Sequence, residues 1–296
     1  MISRTTMSQT VRNFLADLHG NSRLLDRAQR EVSTGKRILA PADDPLGIAA
    51  ALRLRRDQAA SATWQRNIED SLTWLSATDV ALGNALDVVH RARELAVQGA
   101  NGALSASGRA IIADEIDQLV QQLVEIGNAT LGGRYLFAGT KTQTPAFDAA
   151  GTYLGNGGQL VREIELGTTV AVNVTGDRLA GPGAPVPDVF ATLTTLAADL
   201  RSGNLTGVQG ALQTLDAHIA NINGLRGEVG GRTNTLEVTL GRLRNVEVEY
   251  GNQLSTVEDA DMALAITELK SRESIYRASL GVGGRLLPPS LLDFLK

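Results

Sequence analysis

Eight positions near the C-terminus, Leu215, Ile222, Val229, Leu236, Leu243, Tyr250, Val257 and Leu264, recur every seventh residue without a miss. Such a row is the seam of a helix, and it obliges the chain to lay that helix along other helices for its whole length. Leu212, Ile219, Leu240 and Leu254 supply part of a second row, which Arg226, Thr233, Glu247 and Asp261 interrupt. A helix over residues 208–270 would be roughly 95 Å long at 1.5 Å per residue, so its partners must be long helices of this chain or of neighbours. Gly224, Gly227, Gly230 and Gly231 lie inside it, and each costs about 1 kcal/mol relative to Ala in a helix interior. Close helix packing or a local break is the expectation there.

The N-terminus mirrors this pattern. Met7, Val11, Phe14, Leu18, Leu25 and Val32 fall on a 3-4 spacing, with Asn21 and Ala28 in the two intervening positions. Gly35 can cap that helix. Two prolines and two aspartates follow, and Asp44 is placed to cap a second helix with Pro45 at its first position. The second helix is expected over about Leu46 to Gln98, where Ile68, Leu75, Leu82, Val89 and Ala96 recur every seven residues. A third, roughly Ser107 to Asn128, sets Ile112, Ile116, Leu119, Leu123 and Ile126 on one face.

The middle differs in kind. Residues 131–188 are rich in Gly and Thr and hold four of the 8 Pro. Arg162–Leu166 and Val170–Val174 both alternate, and Gly167-Thr168-Thr169 between them reads as a hairpin loop. Residues 181–187 read as a stiff linker back to helix.

Composition narrows the function. Aromatics are only 4% of the chain against 43% hydrophobic residues, which suits long helices packed through aliphatic side chains. The net charge of -4 argues against a nucleic-acid partner and offers an anionic membrane nothing. With no cysteine, disulfide staples and thiolate metal sites are excluded. No apolar run approaches a membrane span, and the first twenty residues lack a secretory-signal pattern. Gly35-Lys36 is not a phosphate loop, because Arg30 stands where the first Gly belongs and Arg37 follows the Lys. Gly155-Asn156-Gly157 starts a dinucleotide pattern that Leu160 breaks. His19, His90 and His218 lie on separate expected helices and cannot make a metal pair. Asp43-Asp44 reads as a capping turn, and Asp259 and Asp261 lack the rest of a calcium loop. Asn128, Asn173 and Asn204 open glycosylation-type triplets at a frequency close to chance. No enzyme, cofactor or metal site is expected.

Three segments carry a family resemblance. Ser33-Thr34-Gly35-Lys36-Arg37-Ile38 leading to Asp43-Asp44-Pro45 resembles the N-terminal signature of the flagellin superfamily. Leu225–Asn234, and Ala260-Asp261-Met262-Ala263 through Tyr276–Leu280 to the Ser290–Leu295 tail, resemble its C-terminal arm. The central Gly133-Arg134-Tyr135-Leu136-Phe137-Ala138-Gly139-Thr140, with Pro145 and Phe147, resembles its hook–filament junction branch rather than flagellins proper. Gly281, Gly283, Gly284, Pro288 and Pro289 make the last segment less helical than in many flagellins.

The resemblance implies a mainly α chain: an elongated hairpin of long N- and C-terminal helices with a small β-rich insert. Terminal arms would be 1–42 with 257–296, a long-helix bundle 43–130 with 188–256, and an outer insert 131–187. It implies a structural subunit of the bacterial flagellum, exported by the flagellar type III route without a cleaved signal, and located outside the cell at the hook–filament junction. The implied partners are hook-associated protein 1, flagellin, copies of itself in a ring, and an export chaperone on the C-terminal arm. Assembly would run through Met7, Val11, Phe14, Leu18, Leu25, Val32, Tyr250, Leu254, Val257, Leu264, Leu291, Leu292, Phe294 and Leu295. Gly35, Asp43, Asp44, Pro45, Arg134, Phe137 and Gly139 carry the signature. Residues 1–40 and 258–296 would order only on assembly, since packing supplies most helix stability. A short flagellin that builds filament is the competing reading, and an intracellular coiled-coil adaptor a distant one.

Overall fold

The computed structural model describes residues 7–181 and 187–286. In chain order the helices are α1 (Met7–Thr34), α2 (Pro45–Gly99), α3 (Ala106–Gly127), α4 (Gly176–Ala180), α5 (Val189–Ser202), α6 (Leu205–Glu258) and α7 (Met262–Leu286). The strands β1 (Thr130–Leu131), β2 (Arg134–Tyr135), β3 (Val161–Glu165) and β4 (Thr168–Ala171) fall between α3 and α4. The chain divides into two compact units, Met1–Ala59 with Val246–Lys296, and Ala60–Asn245.

The second unit is built around the periodic rows. Ile68, Leu75, Leu82, Val89 and Ala96 of α2 are fully buried, and so are Leu215, Ile222, Val229, Leu236 and Leu243 of α6. Each such Leu, Ile or Val side chain contributes about 2 kcal/mol of transfer free energy. Ile112, Ile116, Leu119 and Leu123 close the core from α3. Ion pairs fix the antiparallel register of α2 on α6: Glu69 with Arg244 (3.0 Å), Asp79 with Arg226 (2.8 Å), and Arg93 with Asp216 (2.6 Å). Arg226 thus stands in a seam row because a carboxylate on the facing helix receives it. Ser105 caps α3 by accepting from the Gly108 amide, and Asp188 caps α5 by accepting from Ala191.

The strand region is smaller than a β-rich insert suggests. β1 and β2 form a hairpin of two residue pairs across Gly132 and Gly133, both at positive φ, a turn that only glycine takes without strain. The expected hairpin is present as β3–β4, with Gly167 (φ 73°) in its loop and a register shift between Glu163 and Glu165, but Thr168 and Thr169 pair with β3 instead of forming the loop, and the strand ends at Ala171. Asn67 donates to the Glu163 carbonyl (2.9 Å) and Arg242 pairs with Glu165 (2.6 Å), so the hairpin is pinned to α2 and α6. Ile164 of β3, with Val172 and Val174 just beyond β4, belongs to the same apolar core as the helices.

Three expectations are corrected. The long helix does not run through 270; it stops at Glu258, and α7 restarts at Met262. Asp261 makes the restart, its carboxylate accepting from the Ala263 (2.9 Å) and Leu264 (3.2 Å) amides. Gly224, Gly227, Gly230 and Gly231 mark neither a break nor a close approach: α6 is unbroken there, and a Cβ on any of them would meet nothing within 4 Å. Gly281, Gly283 and Gly284 do not end the last helix, which continues through them to Leu286.

Candidate assembly surface

Within the first unit, α1 and α7 lie side by side. The N-terminal row faces that contact: Ala28 is buried, and Val11, Phe14, Leu18, Asn21, Leu25 and Val32 are half-buried, while the residues between them are mostly exposed. Asn21 donates to the Ser279 hydroxyl (3.0 Å). The Phe14 ring occupies the place that a side chain at 283 would need, so Gly283 is the position where α7 admits α1. The contact leaves an open groove of about 670 Å³ lined by Phe14, Leu18, Leu24, Ile275, Ala278 and Val282.

Only Ala28 of that row is sealed, and α7 leaves much apolar surface in water. Leu264 is 66% exposed, Val282 53%, Leu280 48% and Ile275 42%. In the C-terminal row, Tyr250, Leu254 and Val257 are half-buried. Met7 opens α1, but its side chain lies outside the described residues, as do Leu291, Leu292, Phe294 and Leu295. This amphipathic helix pair covers its own seam only by half.

The signature segment holds the two arms together where α1 ends. Gly35 (φ 68°) closes α1, its amide donating to the Glu31 carbonyl (2.9 Å). The chain then pairs with the break between α6 and α7. Arg37 donates its amide to the Glu258 carbonyl (2.7 Å), and Ala260 donates to the Gly35 carbonyl (2.9 Å). Beneath this clasp the buried Glu258 carboxylate accepts from Lys36 Nζ (2.8 Å) and from the Arg55 guanidinium (2.6 Å). Arg37 also donates to the Val257 carbonyl (3.0 Å).

Asp43 and Asp44 do separate work in the same turn. Asp43 accepts from the Ala40 (2.8 Å) and Leu39 (3.1 Å) amides and pairs with Arg27 (3.3 Å). The Ala40 amide is the main reason its carboxyl is held below the usual range, with Leu39, Arg27 and Arg30 adding to it. Asp44 caps α2 by accepting from the Gly47 amide (2.9 Å), which lowers its pKa together with Arg37, and Pro45 opens the helix. Sequence reasoning found these two aspartates but missed Lys36, Arg55 and Glu258. They are single residues up to 222 positions apart with no spacing to betray them.

The central signature builds a compact turn in the second unit. Phe137 is fully buried, and Arg134 lies over the Trp74 ring at 5.5 Å. Gly139 (φ 69°) sits against the Asn156 carbonyl so closely that a Cβ has no room. Asn128 and Phe147 exchange two hydrogen bonds of 2.9 Å, and the Phe147 ring packs on Phe190 and Tyr153 at 5.0 and 5.4 Å.

Groups considered for chemistry have structural partners instead. Asn128, Asn173 and Asn204 each donate a side-chain amide within the protein, to Phe147, Gly158 and Asp199. Asp259 accepts from the Ser255 hydroxyl (2.6 Å). Among the described residues, no three His, Cys, Asp or Glu side chains converge on a point that could hold a metal. No described helix is long and apolar enough to cross a membrane.

Comparison with known proteins agrees with this architecture. Residues 2–142 match the family model of the bacterial flagellin N-terminal helical region. Flagellar hook-associated protein 3 of Escherichia coli is 29% identical over 241 residues, covering 78% of this chain and 74% of that protein. The chain is similar to the flagellin family over its N-terminal region. The Salmonella typhimurium hook-associated protein 3 is 27% identical over 274 residues, 84% of this chain and 86% of the relative. The solved structure of a flagellar hook-associated protein from Vibrio parahaemolyticus matches with a TM-score of 0.68 at 27% identity, over 73% of this chain and 100% of that one. These relatives are flagellar hook-associated proteins.

Proposed function

We propose that this chain is a flagellin-family protein and is the subunit that joins the flagellar hook, through hook-associated protein 1, to the flagellin filament. Copies form a ring through α1 and α7, and the half-covered seam of that helix pair is the observation that carries the reading. A surface holding Leu264, Ile275, Leu280 and Val282 in water is costly for a monomer and favourable once neighbouring helices cover it. On this reading α1 and α7 gain most of their amide-exchange protection on assembly. The chain leaves the cell through the flagellar export apparatus without a cleaved signal, and a chaperone covers its C-terminal arm on the way.

Deletion of the gene tests this, with flagellin measured in the medium and hooks imaged by electron microscopy. Filamentless hooks with abundant monomeric flagellin outside are the expected result, because export works while the filament has no base. Filamentless hooks with no flagellin outside would mean the chain is itself filament protein. Normal filaments would overturn the proposal. Cross-linking of ring intermediates to hook-associated protein 1, and co-purification of a cytoplasmic partner lost on truncation after α7, test the partners.

A further inference from the structure

We propose that Asn101, in the turn between α2 and α3, is a site of spontaneous deamidation and isoaspartate formation, selected by the fold from three Asn-Gly pairs. The chain carries Asn101-Gly102, Asn156-Gly157 and Asn223-Gly224. The reaction needs the glycine amide nitrogen, after loss of its proton to base, to attack the asparagine Cγ. A C–N bond forms, the side-chain nitrogen leaves as ammonia, and water opens the resulting succinimide to aspartate or isoaspartate. Attack therefore requires a side chain free to bend back and a backbone nitrogen not committed elsewhere.

The fold withholds both from two of the pairs. Asn223 and Gly224 lie inside α6, where the glycine amide belongs to the helix ladder and the backbone cannot reach the cyclic geometry. The Asn156 side chain is held on both atoms. Its Oδ1 accepts from the Thr140 (2.8 Å) and Gly158 (3.2 Å) amides, and its Nδ2 donates to the Thr140 hydroxyl (2.8 Å). The Asn156 carbonyl further accepts from Tyr153 (2.8 Å).

Asn101 and Gly102 are exposed, beyond the end of α2. The Asn101 Oδ1 accepts from the Ala103 amide (3.1 Å). That contact folds the carboxamide back over the Asn101–Gly102 peptide and polarises its carbonyl toward attack, giving the oxyanion a donor as it forms. The turn is closed by Leu104 donating to the Asn101 carbonyl (3.0 Å), and no helix or sheet ladder includes the Gly102 amide. Opening to isoaspartate puts a carboxylate into this turn and lengthens its backbone by one carbon. The inference rests on the chemistry of the turn and is independent of the flagellar role.

The full-length protein is incubated at mildly basic pH, folded and in urea, then digested and mapped by mass spectrometry with enzymatic isoaspartate labelling. In urea the three pairs should react at similar rates. In the folded protein the rate at 101 should stay within a few-fold of its urea value, while 156 and 223 fall at least roughly tenfold below theirs, as expected when reacting groups are held out of geometry. Gly102→Ala should fold normally, since its Cβ would meet only Leu205 at 3.9 Å, and should suppress the reaction. Protection at 101 equal to that at 223, or unchanged modification in Gly102→Ala, would overturn the proposal.

Discussion

Glu258 offers the sharpest test of how the arms are clasped. Its side chain is 5% exposed, and its partners Lys36 and Arg55 are 41% and 48% exposed. The asymmetry sets the magnitudes. In Glu258→Gln both cations turn into water, and the loss is that of two charge-assisted hydrogen bonds against solvated alternatives, about 1–2 kcal/mol. In the double variant Lys36→Met with Arg55→Met the carboxylate stays buried without a counter-charge, so the loss should reach about 3 kcal/mol or more. Each single cation variant should cost about 1 kcal/mol or less, because the other cation remains. Both tryptophans, Trp64 and Trp74, lie outside the clasp's unit, so their fluorescence is the wrong probe. Exchange of the Arg37 and Ala260 amides is the right one, since both donate across the clasp. Protection should fall roughly tenfold per 1.4 kcal/mol, hence about tenfold for Glu258→Gln and a hundredfold or more for the double variant. A double variant no worse than Glu258→Gln would refute the claim that burial of this carboxylate governs the clasp.

Other consequences are as direct. Gly139→Ala combines a positive φ with a collision against the Asn156 carbonyl and should destabilise the second unit by about 3 kcal/mol, read as a lower midpoint in urea. Ala at Gly224, Gly227 or Gly231 should instead raise α6 stability by up to about 1 kcal/mol each, read by thermal unfolding, because the new methyl meets nothing. His218 is buried with Nδ1 unpartnered, and Thr192, already donating to the Asp188 carbonyl, must accept from its Nε2–H. Burial pushes its pKa below 6.5, against the opposing pull of Asp188 and the Pro187 carbonyl. The unfolded chain then binds the proton first, so stability is full above pH 6.5 and declines as pH falls through the window down to the folded value. His218→Gln should flatten that slope in urea titrations between pH 7 and 5.

What the sequence made legible was whatever repeats. The seven-residue rows of α2 and α6 located the core of the second unit, since burial of one helix face imposes a period that any reader can count. The row in α6 misled only at its end. Heptad counting cannot see three residues spent on a bridge to Lys36, so it carried the row on to Leu264, whereas restarting at Asp261 rotates Ala265 inward and Leu264 out. The four glycines of α6 misled for another reason: a missing side chain implies a close neighbour only if one is present. The clasp and the Asn128–Phe147 pairing were invisible, because single long-range polar contacts leave no period. Asp43 and Asp44 were found only because capping is local.

The same α6 row changes environment along its length, and that change carries the functional reading furthest. Through Leu243 its members are sealed inside the second unit. From Tyr250 onward the spacing persists but the burial does not, and α1 shows the same half-covered row from Val11 to Val32. A seam kept in register where none of the described residues fully covers it is difficult to explain by the stability of the monomer, since exposed Leu and Ile contribute little there and favour aggregation. It is explained if the covering helices come from other subunits. The clasp at Glu258 then has a clear purpose: it fixes the ends of α1 and α7 together, so that the seam is offered to its neighbours already in register and less ordering entropy remains to oppose assembly.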